Sequence, residues 1–300
     1  MTSFDVDLLL SMQGALAGGQ FRLFYQPQVD LASGEVLGLE ALLRWQHPDR
    51  GLLEPREFLT TAVGSELIVA IDQWVMQQAA AEVQTWHRTF APGAMQKKQI
   101  WVNVSSLELM QPGFADDLTD LMVAAGIEPG ILGLEIGEAD LIAHSDEVRS
   151  ELMALKDAGV LLAVDDFGTW YSSLSGLKRI PLDAVKLGHK FVRGVGQDHD
   201  SDGVVESVIS FAHARGLIVV AEGVESWSEG ARLCDLGCDR AHGYLFAGPQ
   251  SAERARWMLA KGTGWRAPGT GFGSTWPLPI PVQQSRVAAP NHAAHPGLPG

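Results

Sequence analysis

The chain has 300 residues, of which 46% are hydrophobic, and it carries a formal net charge of -14 at pH 7. A chain of this length can bury a large core, either as one domain or as two smaller ones. The acidic balance excludes extended contact with a long nucleic acid or with an anionic membrane surface, because both need a basic protein surface. It allows a small phosphate ligand, provided that metal ions lie between the ligand and the protein.

The N-terminal segment MTSFDVDLLLSMQGALAGG starts with acidic residues and has no basic residue ahead of its short apolar run. It is therefore predicted to be neither a signal peptide nor a membrane span. The two cysteines, Cys234 and Cys238, have no further cysteine near them. We expect buried free thiols rather than metal ligands, and a reducing, cytoplasmic compartment.

Strand-like and helix-like segments alternate along residues 5–261. Amphipathic stretches such as DEVRSELMALKDAG and VVESVISFAHARG repeat apolar residues at helical spacing, and each ends at a glycine. This alternation predicts one domain, a TIM-like (β/α)8 barrel. The runs that predict its eight strands are FRLFYQPQV, VLGLEALLRW, QIWVNVSS, ILGLEIGE, VLLAVDDF, LDAVKLG, LIVVAEGV and RAHGYLF.

The first two predicted strands differ from the rest. Only a short turn through Ala32, Ser33 and Gly34 separates them, and it is too short to contain a crossover helix. Antiparallel pairing is therefore expected. The predicted fold is a modified TIM barrel whose first strand runs antiparallel to the others.

The composition changes after residue 261. Residues 262–300 contain no acidic residue and are rich in Gly, Pro and Ala. Without periodic apolar positions this segment cannot offset the entropy of ordering it, so a disordered tail is predicted. It contains Trp265 and Trp276, for which the sequence indicates no docking site.

A polar residue stands at the carboxyl end of six of the predicted strands. These ends converge on one face of a barrel, so the residues are predicted to share a site. Taken alone, the adjacent acids after LLAV would also fit a polar turn with a helix cap. Repetition on six strands favours the shared site, and its residues are Glu40, Asn103, Glu135, Asp165 with Asp166, Lys186 and Glu222.

Carboxylate and amide oxygens without a cluster of His or Cys form a hard oxygen site, which suits Mg²⁺ or Mn²⁺. Without cations, carboxylates packed together would raise one another's pKa. Two divalent ions would let them stay ionised, and Asp165 beside Asp166 could contact both. Such a pair suits hydrolysis of a phosphodiester by in-line attack of water. Lys186 would then orient the water or balance charge on phosphate oxygens.

Several motifs occur in order along the chain: YQPQVD, LEALLRWQHP, VNVSS, LEIGE, DDFGTWYSSLSGLKRIPLDAVKL, VVAEGVE and HGYLF. Together they resemble the EAL-domain family of bacterial phosphodiesterases, which hydrolyse cyclic di-GMP to linear pGpG. The resemblance implies a TIM barrel with a reversed first strand and two Mg²⁺ or Mn²⁺ ions per site. It also implies cyclic di-GMP as the small-molecule partner and raises a homodimer as a further expectation.

The resemblance assigns a role to each matching residue. Lys186, Glu222 and Glu40 would be catalytic, and Gln26, Arg44 and His242 would bind the dinucleotide. Glu138 would support the loop after Asp166. The metal ligands implied by the family are Glu40, Asn103, Glu135, Asp165 and Asp166.

The chain departs from the family pattern at several positions, none of which is one of these metal ligands. His242 stands in place of a glutamine, either as a tolerated substitution or with an effect on the site. Gly188 stands in place of an aspartate close to the second metal. The remaining departures are Gly137 for threonine, Val63 and Gly64 for an acidic pair, and Trp170 for glycine.

Two other functions fit part of the pattern. A degenerate EAL domain could act as a cyclic di-GMP receptor or a protein-interaction module without hydrolysis. Such domains usually lose the acids or the lysine, which are retained here. An unrelated metal-dependent barrel hydrolase would explain the acids but not the order of the motifs.

The loss of the acid at Gly188 generates a prediction about metal dependence. With one carboxylate fewer, the second ion should bind more weakly than the first. Phosphodiesterase activity should therefore keep rising with Mn²⁺ well above the concentration that saturates the first site. A saturation curve complete at micromolar Mn²⁺ with a single binding constant would contradict this expectation.

Overall fold

The computed structural model describes residues 3–90, 98–144, 148–168, 180–197, 199–263 and 265. Each predicted strand run contains a strand, and the short β3 was not predicted. The strands of the described residues are β1 (Phe21–Asp30), β2 (Val36–His47), β3 (Gly51–Leu53), β4 (Gln99–Asn103), β5 (Leu132–Gly137), β6 (Leu161–Phe167), β7 (Ala184–Leu187), β8 (Ile218–Ala221) and β9 (Arg240–Ala241).

Helices cover the outside of the barrel. Gly159 (φ +85°) and Gly216 (φ +72°) follow α7 and α9 in the left-handed conformation, as the sequence predicted. A 3₁₀ helix spans Pro55–Glu57. The α-helices are α1 (Ser3–Ala17), α2 (Leu59–Ala62), α3 (Glu66–Thr89), α4 (Ser106–Leu109), α5 (Phe114–Ala125), α6 (Glu138–Ala143), α7 (Arg149–Asp157), α8 (His189–Val192), α9 (His199–His213), α10 (Trp227–Asp235) and α11 (Ala252–Lys261).

Eight strands close into a barrel. Neighbouring strands pair in parallel from β2 through β4, β5, β6, β7 and β8 to β9. β1 closes the ring and runs antiparallel to both of its neighbours, β2 and β9. β3 adds to β2 as an antiparallel extension outside the ring. The predicted modified TIM barrel with a reversed first strand is confirmed.

The turn between β1 and β2 explains the reversal. The Asp30 carboxylate accepts a hydrogen bond of 2.7 Å from the backbone N–H of Ser33, which fixes a tight turn. Gly34 follows with φ +77°, a conformation that few side chains tolerate. With so few connecting residues the chain can only fold back beside itself, so β2 starts at the end where β1 stopped.

The barrel interior is layered by the alternation of side chains along each strand. Trp101 on β4 packs against Ala163 and Ala184 on β6 and β7. A Cβ on Gly133 of β5 would lie only 2.3 Å from the indole ring, so this position needs glycine. Small residues therefore make room for one large aromatic ring below the rim. The residues two positions further along these strands point to the same side, at the carboxyl face.

Trp265, which lies inside the predicted tail, is fully buried. Its indole N–H donates a hydrogen bond of 3.1 Å to the carbonyl of Leu31 in the β1–β2 turn. Its ring packs against Trp227 on α10 and Phe246, with centroids 4.4 and 5.3 Å away. Residue 264 and residues 266–300, including Trp276, lie outside the described residues, so disorder of the tail stays a prediction.

Both cysteines are free, as expected. Cys238 is buried, and burial raises the pKa of its thiol to about 12. Cys234 is half-buried. Across the described ranges, no helix combines the length and the apolar character needed to cross a bilayer.

The packing of Trp265 predicts a stabilising role for the segment after α11. Trp265→Ala should lower the free energy of unfolding by about 3–5 kcal/mol, because it removes a fully buried aromatic side chain. Urea denaturation would measure the loss. Trp257→Ala is the matched control, since Trp257 on α11 is 48% exposed and should cost less than about 1 kcal/mol. Equal stability of the wild type and Trp265→Ala would contradict the observed docking.

Candidate active site

Lys186 lies at the centre of a cluster of carboxylates inside the rim of the barrel. Its side chain, on β7, is 1% exposed. The ammonium group is the shared partner of four acids that lie on, or directly after, four other strands. The distances from Nζ are 2.7 Å to Glu135 Oε2, 2.7 Å to Glu222 Oε1, 3.2 Å to Asp165 Oδ1 and 3.3 Å to Glu40 Oε2.

Strand register explains why these side chains meet. Glu135 and Asp165 lie near the carboxyl ends of β5 and β6, and Glu222 directly follows β8. Glu40 lies inside β2, which continues to His47, but it is close to the end of the part of β2 that pairs with β4, Gly38 to Ala41. The Glu222 backbone N–H donates a hydrogen bond of 3.0 Å to the carbonyl of Leu187, which holds this residue beside β7. The structure thus brings together five of the residues that the sequence placed at strand ends.

Two further predicted residues contact the acids. The Asn103 amide Nδ2 donates a hydrogen bond of 3.1 Å to Glu40 Oε1. His242 is buried, and its Nε2 lies 3.3 Å from Glu222 Oε1 and 3.7 Å from Glu40 Oε2. The imidazole therefore faces the acids themselves, and its predicted contact with a dinucleotide stays a prediction.

Asp166 and Glu138 shape the loop after β6. Asp166 has φ +52°, a left-handed conformation that is uncommon for a residue other than glycine. Its backbone N–H donates to Asp165 Oδ1 at 2.9 Å. Glu138 Oε2 accepts a hydrogen bond of 3.0 Å from the backbone N–H of Gly168. This contact is consistent with the predicted loop support by Glu138.

Gln26 and Arg44 lie on the two antiparallel strands of the barrel and are held by backbone groups. Gln26 Nε2 donates to the carbonyl of Ala247 at 3.1 Å, and Arg44 Nη1 donates to that of Leu43 at 2.8 Å. Gln26 lies directly opposite Glu40 in the register of β1 and β2. This places Gln26 at the level of the acid cluster, whereas Arg44 lies further along β2, opposite Arg22. Their contact with substrate stays a prediction.

The electrostatics of the cluster show a deficit of positive charge. Burial lowers the pKa of Lys186, but Asp165 and Glu135 outweigh burial and hold this pKa well above its usual range. Burial, reinforced by Glu40, raises the pKa of Glu135 well above its ordinary value. Burial also raises the pKa of Glu222. Burial also acts to raise the pKa of Glu40 and Asp165, but Lys186 and the other polar groups outweigh it and both pKa values are lowered. One ammonium group therefore favours the ionised form of some of the four carboxyl groups but not of all.

Divalent cations fit this donor set. The strand-end side chains offer carboxylate and amide oxygens, which Mg²⁺ and Mn²⁺ prefer. Cations would supply the missing positive charge and let Glu135 ionise. In the described part of the chain, donor atoms of Glu40, Glu222 and His242 lie within 4.8 Å of one another, close enough to share one ion. The arrangement is suited to metal-assisted hydrolysis.

The sequence interpretation missed two polar residues next to the site. Gln28 is buried inside the barrel, and its Nε2 donates to Glu135 Oε1 at 3.4 Å. Strand alternation could have identified it, because it lies two positions after Gln26. Asp72 is a buried acid on the apolar face of α3. Its Oδ2 accepts a hydrogen bond of 2.9 Å from the backbone N–H of Ser105, two residues after Asn103.

Asp72 has a second buried acid as its neighbour. Glu108 is 2% exposed, and its backbone N–H donates to Ser105 Oγ at 3.2 Å, which caps α4. Burial raises the pKa of Asp72 to about 6 and that of Glu108 to about 7, and Asp72 adds to the latter shift. The loop after Asn103 therefore rests on two carboxyl groups that titrate near neutrality.

A family model described as "EAL domain" matches residues 10–249. The chain belongs to the EAL-domain family. An uncharacterised protein of Mycobacterium tuberculosis is 37% identical over 85% of this chain and 40% of its own length. The bifunctional diguanylate cyclase/cyclic di-GMP phosphodiesterase MucR of Pseudomonas aeruginosa is 35% identical over 83% of this chain and 36% of its own length.

A solved structure agrees with this membership. The PaMucR phosphodiesterase in complex with c-di-GMP superposes with a TM-score of 0.76 at 34% identity, over 83% of this chain and 99% of that one. The chain spans two fifths or less of the length of the two curated relatives above. The likeness therefore concerns their EAL domains.

The departures from the EAL pattern differ in their structural consequence. A Cβ on Gly137 would meet only Asp140 Oδ2, at 3.7 Å, so there is room for a side chain at this position. A Cβ on Gly188 would lie 2.8 Å from Asp166 Oδ1. In this EAL domain, the Asp166 carboxylate occupies space that a side chain at 188 would take. Trp170 lies outside the described residues.

The two buried acids beside the loop after Asn103, Asp72 and Glu108, generate a prediction about how stability depends on pH. The folded state holds Glu108 at a pKa of about 7, above its ordinary value of 4.5, so it favours the protonated form. This stabilisation is present below the ordinary pKa and is lost as the pH rises through 7. Glu108→Gln should therefore gain on the order of 1–2 kcal/mol of stability relative to wild type between pH 5 and pH 8.

Urea denaturation at several pH values would measure this difference. The control is Glu128→Gln, because Glu128 is exposed. The wild type and Glu108→Gln should diverge as the pH rises, whereas the control should run parallel to wild type. Parallel curves for all three proteins would contradict the burial of a titrating acid at position 108.

Proposed function

We propose that the chain is a divalent-metal-dependent phosphodiesterase that hydrolyses cyclic di-GMP to linear pGpG. The observation that carries this proposal is the Lys186 ammonium group buried among carboxylates from four other strands of the barrel. A relative named as a cyclic di-GMP phosphodiesterase and a similar structure in complex with c-di-GMP support the same substrate.

The residues that would hold two Mg²⁺ or Mn²⁺ ions are those of the acid cluster. When bound, such cations neutralise phosphate charge and lower the pKa of water. Asp165 lies between Lys186 and Asp166, so its carboxylate could contact both ions. The ligand set we propose is Glu40, Asn103, Glu135, Asp165 and Asp166.

The solvent exposure of the acidic side chains indicates which of them water and substrate can reach. The Glu222 and Asp165 side chains are 16% and 22% exposed, whereas that of Glu135 is fully buried. Water and substrate therefore reach the cluster at Glu222 and Asp165. Glu222, whose pKa burial raises, is placed to accept the proton of the attacking water. His242 holds the Glu222 carboxylate from the other side.

Lys186 acts as a hydrogen-bond donor rather than as a base. The carboxylates that surround it hold its pKa above the usual range, so it keeps its proton at neutral pH. Its ammonium can orient the attacking water and stabilise charge on a phosphate oxygen. Arg44 and Gln26 would bind phosphate and the nucleotide, since a guanidinium matches phosphate oxygens.

A hydrolysis assay tests the proposal. Purified protein with cyclic di-GMP and Mn²⁺ should yield linear pGpG, separated by chromatography. Lys186→Met should lower kcat by about 10²–10³-fold, because it removes one preorganised donor. Lys156→Met is the control. Lys156 forms a salt bridge of 2.6 Å with Asp183 and is not part of the acid cluster, so this variant should turn over at the wild-type rate.

Two results would contradict the proposal. Tight binding of unchanged cyclic di-GMP by the wild type in saturating Mn²⁺ would support the receptor function instead. Wild-type turnover by folded Lys186→Met would remove the lysine from the reaction.

A further inference from the structure

Glu135 is held by a different partner at each of its two oxygens. Lys186 Nζ contacts Oε2 at 2.7 Å, and Gln28 Nε2 donates to Oε1 at 3.4 Å. Glu135 and Gln28 are both 1% exposed, so solvent cannot replace either partner. The orientation of the Glu135 carboxylate is therefore fixed between β7 and β1.

The other end of the Gln28 amide faces a second buried polar atom. Gln28 Oε1 and Trp101 Nε1 are buried, and neither has a hydrogen-bond partner among the described residues. Both atoms lie close to the position that a Cβ on Gly38 would occupy. A Cβ there would lie 3.0 Å from Gln28 Oε1 and 3.4 Å from Trp101 Nε1. A buried acceptor and a buried donor thus both lie close to Gly38, which has no side chain to separate them.

Buried polar groups are rarely left without a partner, and an internal water is the usual solution when a donor and an acceptor face the same space. We propose that Gln28 is a positioning residue for Glu135, and that a buried water over Gly38 holds Gln28 in place. The water accepts from Trp101 Nε1 and donates to Gln28 Oε1. Its relevance to catalysis rests on the proposed metal-dependent function.

The water explains the orientation of the amide. Because Gln28 Oε1 accepts a hydrogen bond from the water, Gln28 Nε2 is the amide group that faces Glu135. If the Gln28 amide were rotated by 180°, its oxygen would face a carboxylate oxygen of Glu135, and both atoms are acceptors. The Gln28 NH₂ group would then have no acceptor at Glu135. Trp101, placed by the small residues around it, thereby fixes Gln28 and, through Gln28, the Glu135 carboxylate. Partners of a ligating carboxylate commonly change metal affinity by about 10–100-fold when they are removed.

Mn²⁺ binding measured by calorimetry, without nucleotide, tests the inference. Gln28→Met keeps the length of the side chain and removes both polar atoms, so it should bind Mn²⁺ about 10–100-fold more weakly than wild type. The control is Gln99→Met, because the Gln99 amide contacts Arg240 at the opposite end of the barrel. Its affinity should equal that of wild type. Equal affinities for all three proteins would overturn the inference.

A second variant keeps Gln28 and removes the water. Gly38→Ala places a methyl group between Gln28 and Trp101, so it should also weaken Mn²⁺ binding. Crystal structures should show an ordered water bridging Trp101 Nε1 and Gln28 Oε1 in the wild type and none in Gly38→Ala. A wild-type structure without that water would overturn the bridge.

The same measurements separate this inference from the proposed function. A wild type that binds no Mn²⁺ would overturn the metal site and the inference with it. A wild type that binds Mn²⁺ as tightly as Gln28→Met would overturn the inference alone. In turnover of cyclic di-GMP, Gln28→Met should lower kcat at subsaturating Mn²⁺ and leave KM unchanged, because Gln28 is buried below the rim.

Discussion

The structure depends on the attraction between one buried ammonium group and the acids around it. Lys186 is the shared cation for four acids from separate strands, Glu40, Glu135, Asp165 and Glu222. Without it, these carboxylates would repel one another in a site that is largely buried. Even with it, four carboxylates face one ammonium group, so negative charge is in excess when all of them are ionised. The same imbalance that makes the site costly to fold makes it suited to divalent cations.

The barrel supplies the geometry that brings these groups together. Parallel strands end on one face, and alternation turns every second side chain inward, so polar residues form one layer at the rim. The layer below contains Trp101 with glycine and alanine neighbours. A single indole ring fills that space, and its Nε1 lies beside Gly38, as Gln28 Oε1 does. Packing below the rim and ligand orientation at the rim are thus linked through the same strands.

Much of this could be predicted from the sequence, because it follows from local patterns. β-branched runs identified the eight barrel strands, the short turn after Asp30 identified the reversed strand, and the position of each acid at a strand end identified the cluster. Gln28 and Asp72 were missed because their significance depends on partners distant in the chain, Glu135 and Ser105. Trp265 was placed in a tail by composition, although a long-range hydrogen bond to Leu31 holds it. The Asp166 carboxylate lies where a side chain at position 188 would be. This placement accompanies the left-handed backbone conformation of Asp166, which the local sequence does not predict.

The most direct test of the account is the anomalous diffraction of manganese in crystals soaked with Mn²⁺ and a non-hydrolysable analogue of cyclic di-GMP. The account predicts two anomalous peaks among the oxygens of Glu40, Asn103, Glu135, Asp165 and Asp166, with a phosphate of the ligand beside them. A bound ligand with no manganese at these oxygens would contradict it.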